Sequence, residues 1–326
     1  MNKIKVGIIG IGHMGQYHLN VAISIPKLEL VGVYDNDKNR LNEISQKFMI
    51  KPYENMEDLI NDSEALIIAV PTKYHYEIGK KCLEAGKHIL LEKPMTETVE
   101  QAKDLVELAN QKGLILQVGH VERFNGAILE IKKIIDKPFF IETKRLSPFN
   151  PRIKDVGVVL DLMIHDLDII LNLIDSPIQS IHAKGIKAFS DFEDIAIALI
   201  QFESGPIASL IASRATQNKI RILTITQEKS YVVLDFATQD IDIHRMASSA
   251  YLMTKEELKY KQESFVEKIF VHKDNPLKLE QIHFINCCLG IEEPHVSNEK
   301  DILTLSYAYK ILEEIHKNIN NQVIQL

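Results

Sequence analysis

Cysteine is scarce in this chain: Cys82, Cys287 and Cys288 are the only three in 326 residues. They form no C-x-x-C pair, and the adjacent Cys287 and Cys288 suit neither a metal site nor an ordinary disulfide. A reducing cytoplasm is the expected setting. Excess basic charge is also lacking. The net charge is −7, so no basic surface invites nucleic acid or an anionic membrane. No uninterrupted apolar run approaches the length of a membrane span. The opening MNKIKVGIIG enters a strand directly, without the apolar core and small-residue cleavage site of a signal peptide. No His/Cys/acid cluster has metal-ligand spacing, and no metal is expected. Long linkers, internal repeats and low-complexity segments are missing too. What remains is an ordinary globular composition, 45% hydrophobic and 25% charged, long enough for two domains with cores of their own.

The most informative stretch runs from Lys3 to Asp35. An apolar run, Ile4 to Ile9, enters Gly10-Ile11-Gly12-His13-Met14-Gly15. A helix-compatible segment follows to about Ile25, and a second apolar run, Leu28 to Tyr34, ends at Asp35, 20 residues beyond the last glycine. Strand, glycine turn, helix, strand and acid is the layout of a dinucleotide site. Gly10 permits the tight turn, Gly12 the approach of a pyrophosphate to the backbone, and Gly15 close packing of helix on strand. The helix N-terminus offers free N–H groups and the positive end of its dipole to the phosphates. Asp35 can accept both hydroxyls of an adenosine ribose and would repel a 2′-phosphate, which favours NAD over NADP. No basic residue follows Asp35 immediately, and Arg40, several residues on, is a basic group that bears on that choice.

Downstream, helix and strand patterns alternate: helix 38–48, a short strand 51–53, helix 56–61, the fully apolar strand 65–70, a helix carrying His75, strand 87–91, a helix opened by a Thr98/Gln101 capping box, and strand 114–118. This gives an α/β fold with a doubly wound parallel Rossmann sheet. Ligands in such sheets lie beyond the C-terminal strand ends. Those ends carry Gly10–Gly15, Asp35, Val70-Pro71-Thr72, Glu92-Lys93-Pro94 and Gly119-His120, and the expected cofactor-lining set is drawn from them together with His75. His13, His18 and His75 have packing or capping readings that fit as well.

After residue 120 the rhythm changes. A helix near 125–135, a strand 139–146, a proline-bearing loop and a helix 157–174 precede β-type runs at 178–189, 194–202, 206–213, 219–226, 230–235 and 241–244, with another at 264–272. The turn Glu203–Pro206 reads as a hairpin. Helices near 276–288 and 301–318 finish the chain. The expectation is a Rossmann domain over 1–120 and an α+β domain with a large, mostly antiparallel sheet over 121–326, serving substrate binding and oligomerisation.

The helix 157–174 is apolar nearly all round, so it should be buried. Four of its polar residues, Asp161, His165, Asp168 and Asn172, form one stripe, which either faces solvent or serves chemistry. Asp161 can hydrogen-bond His165 one turn away and orient it. An oriented histidine is what alcohol oxidation needs in order to take the hydroxyl proton as hydride leaves the same carbon. Lys93, at a strand end, can polarise the substrate oxygen or relay its proton; the alternative is a surface lysine before a helix cap. Arg123, Arg145 and Arg152 offer bidentate contacts to an anionic substrate, or are solvated and salt-bridged. Phe124 and Asn125 accompany Arg123 at the last strand end.

GIGHMG at 10–15, EKP at 92–94, VGHVERFN at 118–125, RLSPFNPR at 145–152 and DVGVVLDLMIHDLDII at 155–170 together resemble the Gfo/Idh/MocA family of nicotinamide-dependent sugar oxidoreductases. The resemblance spans essentially the whole chain. It is strongest to the branch that oxidises the 3-hydroxyl of UDP-N-acetylglucosamine so that an aminotransferase can install a 3-amino group for lipid A. It implies an active-site group of Lys93, Asp161 and His165, with His165 as acid/base, Lys93 near the reacting oxygen, and either able to be the formal base. It also implies a homodimer or homotetramer. UDP-N-acetylglucosaminuronic acid, a free sugar or inositol are the alternative substrates. A non-catalytic NAD-binding sensor is the alternative of another class.

Overall fold

A computed structural model describes residues 3–150, 156–246 and 264–319. The first unit begins with β1 (Ile4–Ile9), α1 (His13–Ala22), β2 (Leu28–Tyr34), α2 (Lys38–Phe48), α3 (Met56–Asp62), β3 (Ala65–Ile68), α4 (His75–Glu84), β4 (His88–Glu92), α5 (Val99–Lys112) and β5 (Leu116–Gly119). Its five strands run parallel in the order β2-β1-β3-β4-β5. β3 is buried along its whole length, as an unbroken apolar strand covered by helices on both faces must be. The expected strand at 51–53 is only an isolated bridge between Val33 and Pro52. Proline has no N–H to extend a ladder, so the sheet has five strands where six were expected. The capping box of α5 is half made: Thr98 Oγ1 accepts the Gln101 N–H at 3.2 Å, while Gln101 Oε1 has no partner.

The second unit holds α6 (Gly126–Ile131), β6 (Phe140–Leu146), α7 (Ile164–Leu173), β7 (Ile178–Ile186), β8 (Ile195–Phe202), β9 (Ile207–Ser213), β10 (Ile220–Gln227), β11 (Ser230–Asp235), β12 (Asp240–Met246) and β13 (Ser264–Ile269). They form one eight-stranded sheet, β13-β12-β11-β10-β6-β9-β8-β7, antiparallel except for the β6/β9 pair. The hairpin between β8 and β9 turns at Gly205, whose φ of +110° explains the glycine. The expected helix 157–174 is not uniform. It opens with a π-helical turn, Val159–Met163, before α7. Such turns widen a helix locally and are frequent at functional sites.

Two further helices, α8 (Pro276–Cys288) and α9 (Asn298–Ile319), follow. The chain does not divide once near residue 120. The first unit is 1–124 together with 274–307, so it takes all of α8 and the first turns of α9; the second is 125–273 together with 308–326. Phe284 and Ile285 of α8 join the same buried cluster as Val6, Ile8 and Leu19. Asn275 caps α8 through the N–H groups of Leu277 and Lys278, and Pro276 occupies its first turn. Among the described residues no helix is long and apolar enough to cross a membrane.

Candidate active site

Gly10 has φ +86°, and a Cβ there would lie 2.6 Å from the Ala69 carbonyl oxygen. A Cβ on Gly15 would lie 1.9 Å from the carbonyl oxygen of Gly10, so only glycine lets α1 start this close to β1. Gly12 is different, since a Cβ there would meet nothing within 4 Å. The space above the start of α1 is open at the point where a pyrophosphate needs backbone N–H groups, and His13 and Met14 are exposed beside it. Asp35, 6% exposed, accepts the N–H of Ile11 at 2.9 Å and of Asp37 at 2.9 Å, and Arg40 Nη1 stands 3.4 Å from both its oxygens. The acid thus ties the end of β2 to the glycine turn. This cradle fits NAD: an open helix start for phosphates, and a carboxylate fixed at the ribose end.

The ends of β3 and β4 are joined by His75, which is 1% exposed. Its Nδ1 lies 2.9 Å from the Pro94 carbonyl oxygen and its Nε2 2.9 Å from that of Val70. Burial pushes the His75 pKa down, against the pull of those carbonyls. Pro71 and Thr72 follow Val70 into a short 3₁₀ turn, Thr72–Tyr74. Glu92, at the end of β4, is buried against His18, whose Nε2 is 2.8 Å from Glu92 Oε1. Burial alone would raise the Glu92 pKa, but the hydrogen bond to His18 and the charge of Lys93 hold it below the usual carboxylate range. Lys93 follows, half-buried. His120, at the end of β5, is 3% exposed.

The other expected residues divide between the units. In the first, Arg123 is 9% exposed with Nη2 2.5 Å from Asp301, and Phe124 packs on the rings of His283 and His295. In the second, Asn125 caps α6 through Ala127 N and reaches the Phe236 carbonyl. Arg145 is 2% exposed, paired through Nε and Nη2 with Asp166 and stacked over Phe236. The guanidiniums of Arg123 and Arg145 are therefore committed within the fold, where a grip on substrate was expected. Arg152 lies outside the described residues. Asp161 sits in the π-helical turn and His165 near the start of α7, both half-buried, and Asp168 is fully buried. The stripe is not a solvent face.

Two buried groups escaped the sequence reading as parts of the site. His18, three residues past Gly15, had packing or capping readings that fit as well as a functional one, and Gln281, whose side chain meets it, is 263 residues away. No local pattern joins residues that distant. Another juxtaposition that spacing does not reveal is His283, Glu292 and His295, whose donor atoms come within 4.8 Å of one another. Hydrogen bonding accounts for His283: Nδ1 lies 3.0 Å from Glu292 and Nε2 accepts the His295 N–H at 3.3 Å.

Residues 4–120 match the family described as "Oxidoreductase family, NAD-binding Rossmann fold", and residues 126–233 match the GFO/IDH/MocA C-terminal domain. The chain is 33% identical to UDP-N-acetylglucosamine 3-dehydrogenase of Acidithiobacillus ferrooxidans over 76% of this chain and 80% of that protein. It is 30% identical to scyllo-inositol 2-dehydrogenase (NAD(+)) of Bacillus subtilis over 77% of this chain and 79% of that one. The solved Acidithiobacillus enzyme superposes with a TM-score of 0.87 at 28% identity, covering 97% of this chain and 98% of its own. The WlbA dehydrogenase from Bordetella pertussis, solved with NADH and UDP-GlcNAcA, shares the fold at 20% identity, with a TM-score of 0.82 over 97% of each chain. With both halves matched and the glycine turn, Asp35 and the strand ends built to take the cofactor, the chain belongs to the Gfo/Idh/MocA family and is an NAD-dependent oxidoreductase.

Proposed function

We propose that the protein oxidises the 3-hydroxyl of UDP-N-acetylglucosamine to a ketone, producing the 3-keto sugar that an aminotransferase then converts to a 3-amino sugar for lipid A. The observation that carries this reading is the likeness to the Acidithiobacillus 3-dehydrogenase, which extends through both sequence and fold. Bound NAD supplies the hydride acceptor. The chain's own residues handle the oxygen and the proton: His165 takes the hydroxyl proton, Asp161 holds the imidazole in its acceptor tautomer, and Lys93 donates to the reacting oxygen as it becomes a carbonyl. With Arg123 and Arg145 engaged by Asp301 and Asp166, Arg152 is the member of that set left for the diphosphate. The same commitment disfavours a uronic acid, whose carboxylate needs a further cation. An inositol substrate is the second reading, favoured by the Bacillus relative.

Lys93→Ala and His165→Ala should each lower turnover by roughly 10²–10⁴-fold while NAD still binds. A non-catalytic sensor would lose nothing by either change, so full function in both variants would refute these roles. The large sheet leaves Ile197, Leu199 and Tyr231 more than 40% exposed, an apolar face that a second copy would cover in a homodimer or homotetramer. A monomer by light scattering at micromolar concentration would contradict that. The cytoplasm is the proposed setting. The three cysteines are free thiols, and burial raises Cys82 to about 12 and Cys287 to about 11, which makes both unreactive.

A further inference from the structure

We propose that Gln281, His18 and Glu92 form a buried relay that positions the backbone at Lys93, so that α8 controls the attitude of the catalytic lysine. The inference rests on the role given to Lys93 above. The hydrogen-bond polarity of the relay follows from one contact. Gln281 Nε2 lies 3.1 Å from the carbonyl oxygen of His18, which can only accept, so this end of the amide is the NH₂. Its other proton points to His18 Nδ1 at 3.0 Å, leaving Nδ1 a bare acceptor and the ring proton on Nε2. Nε2 donates to Glu92 Oε1 at 2.8 Å, and Glu92 Oε2 accepts the N–H of Lys93 at 3.2 Å.

Nothing in the relay is loose. His18 and Gln281 are 0% exposed and Glu92 is 9% exposed. On the far side, a Cβ added to Gly119 of β5 would press on the Glu92 carboxylate at 3.3 Å. His75 holds Pro94, the next residue after Lys93, by its carbonyl. The charged and titratable groups facing Glu92 are His18 from α1, His75 from α4, its neighbour Lys93, and Glu280 from α8. Glu280 is 0% exposed, its oxygens have no partner, and burial with the nearby Glu92 charge raises its pKa well above the carboxylate range, against the opposing pull of Arg123. Glu280 therefore stays neutral and Glu92 carries the negative charge. An apolar trio would fill this space at lower desolvation cost. A relay that ends on the lysine gives the polar choice a purpose.

The test uses His18→Leu, His18→Gln (which keeps an N–H donor), Gln281→Leu and Lys93→Ala, each checked for folding. In the wild type, ¹⁵N NMR of His18 should show a protonated Nε2 and a bare Nδ1, and Gln281→Leu should lose that tautomer preference. His18→Leu should lower kcat roughly tenfold to a hundredfold, the cost of slight misplacement, with little change in KM for NAD. Losing the His18 donor lets the Glu92 pKa rise, so the loss of kcat should deepen as pH falls. His18→Gln should restore both. A protonated Nδ1 in the wild type, or a folded His18→Leu with the wild-type kcat, overturns the relay while leaving Lys93 catalytic. An active Lys93→Ala overturns the catalytic reading and the relay with it. If His18→Leu fails to fold, the NMR result and Gln281→Leu decide.

Discussion

In the first unit, buried ionisable groups gather where parallel strands end: Asp35 after β2, His75 between the ends of β3 and β4, and His18 with Glu92 at the end of β4. In the second, they fasten the sheet to its surroundings. Arg145 of β6 pairs with Asp166 of α7, and Arg214, after β9, has Nε 2.6 Å from Asp194. The Asp194 carboxylate also accepts the N–H groups of Ala188, Phe189 and Ser190 and the hydroxyl of Ser190. Burial opposes its ionisation, yet those donors and Arg214 hold its pKa far below the usual range. The contrast separates two uses of buried charge. At the parallel strand ends it fixes backbone that must meet a ligand; in the antiparallel sheet it fixes the fold.

The sharpest way to break this contrast is at the glycine turn. Gly15→Val would drive its Cβ into the Gly10 carbonyl, and we expect no measurable NADH binding by fluorescence titration. Retained binding would mean that the close helix–strand approach is dispensable. Next in size is Arg214→Leu. It strands the Asp194 charge inside the second unit and should cost about 3–5 kcal/mol of stability by denaturant unfolding. NADH affinity measured well below the transition should stay at the wild-type value. A parallel loss of affinity would show that the two uses of charge are not separate.

Smaller again is Asp35→Ala, which removes the ribose acceptor and the anchor for the Ile11 N–H; NADH affinity should fall about tenfold to a hundredfold. The smallest effect concerns Glu280. Because its folded pKa lies above its unfolded value, the unfolded chain releases its proton first as pH rises through about 4.5. The side chain thus opposes folding at neutral pH and not below that value. Glu280→Gln should raise the melting temperature at pH 7.5, with a gain that shrinks toward pH 4. An equal gain at both pH values would show that Glu280 is ionised in the folded protein.

The same contrast explains what could be read in the sequence. The glycine turn, Asp35 and the strand ends were legible because each is imposed by backbone geometry over a few residues: Gly10 by its φ, Gly15 by contact with Gly10 itself. The β-runs of the second unit were legible from their alternation, to within a few residues at most ends. The fates of Arg123 and Arg145 were not. A guanidinium looks the same in sequence whether its partner is a diphosphate, Asp301 or Asp166, and 178 residues separate Arg123 from Asp301. The return of α8 to the first unit was hidden for the same reason, since its apolar residues announce a buried helix without saying which sheet buries it. The π-helical turn at Asp161 had no signal either, because the residues around it fit an ordinary helix.

The central claim, NAD-dependent oxidation at C3 of UDP-N-acetylglucosamine, is tested most directly by absorbance of the reduced nicotinamide. Purified protein would be mixed with NAD and each of UDP-N-acetylglucosamine, UDP-N-acetylglucosaminuronic acid and myo-inositol, with an aminotransferase and glutamate present to draw off the ketone. NADH formation with the first sugar alone is the predicted result. NADH with another substrate, or none with any of the three from protein that binds NAD, would contradict it.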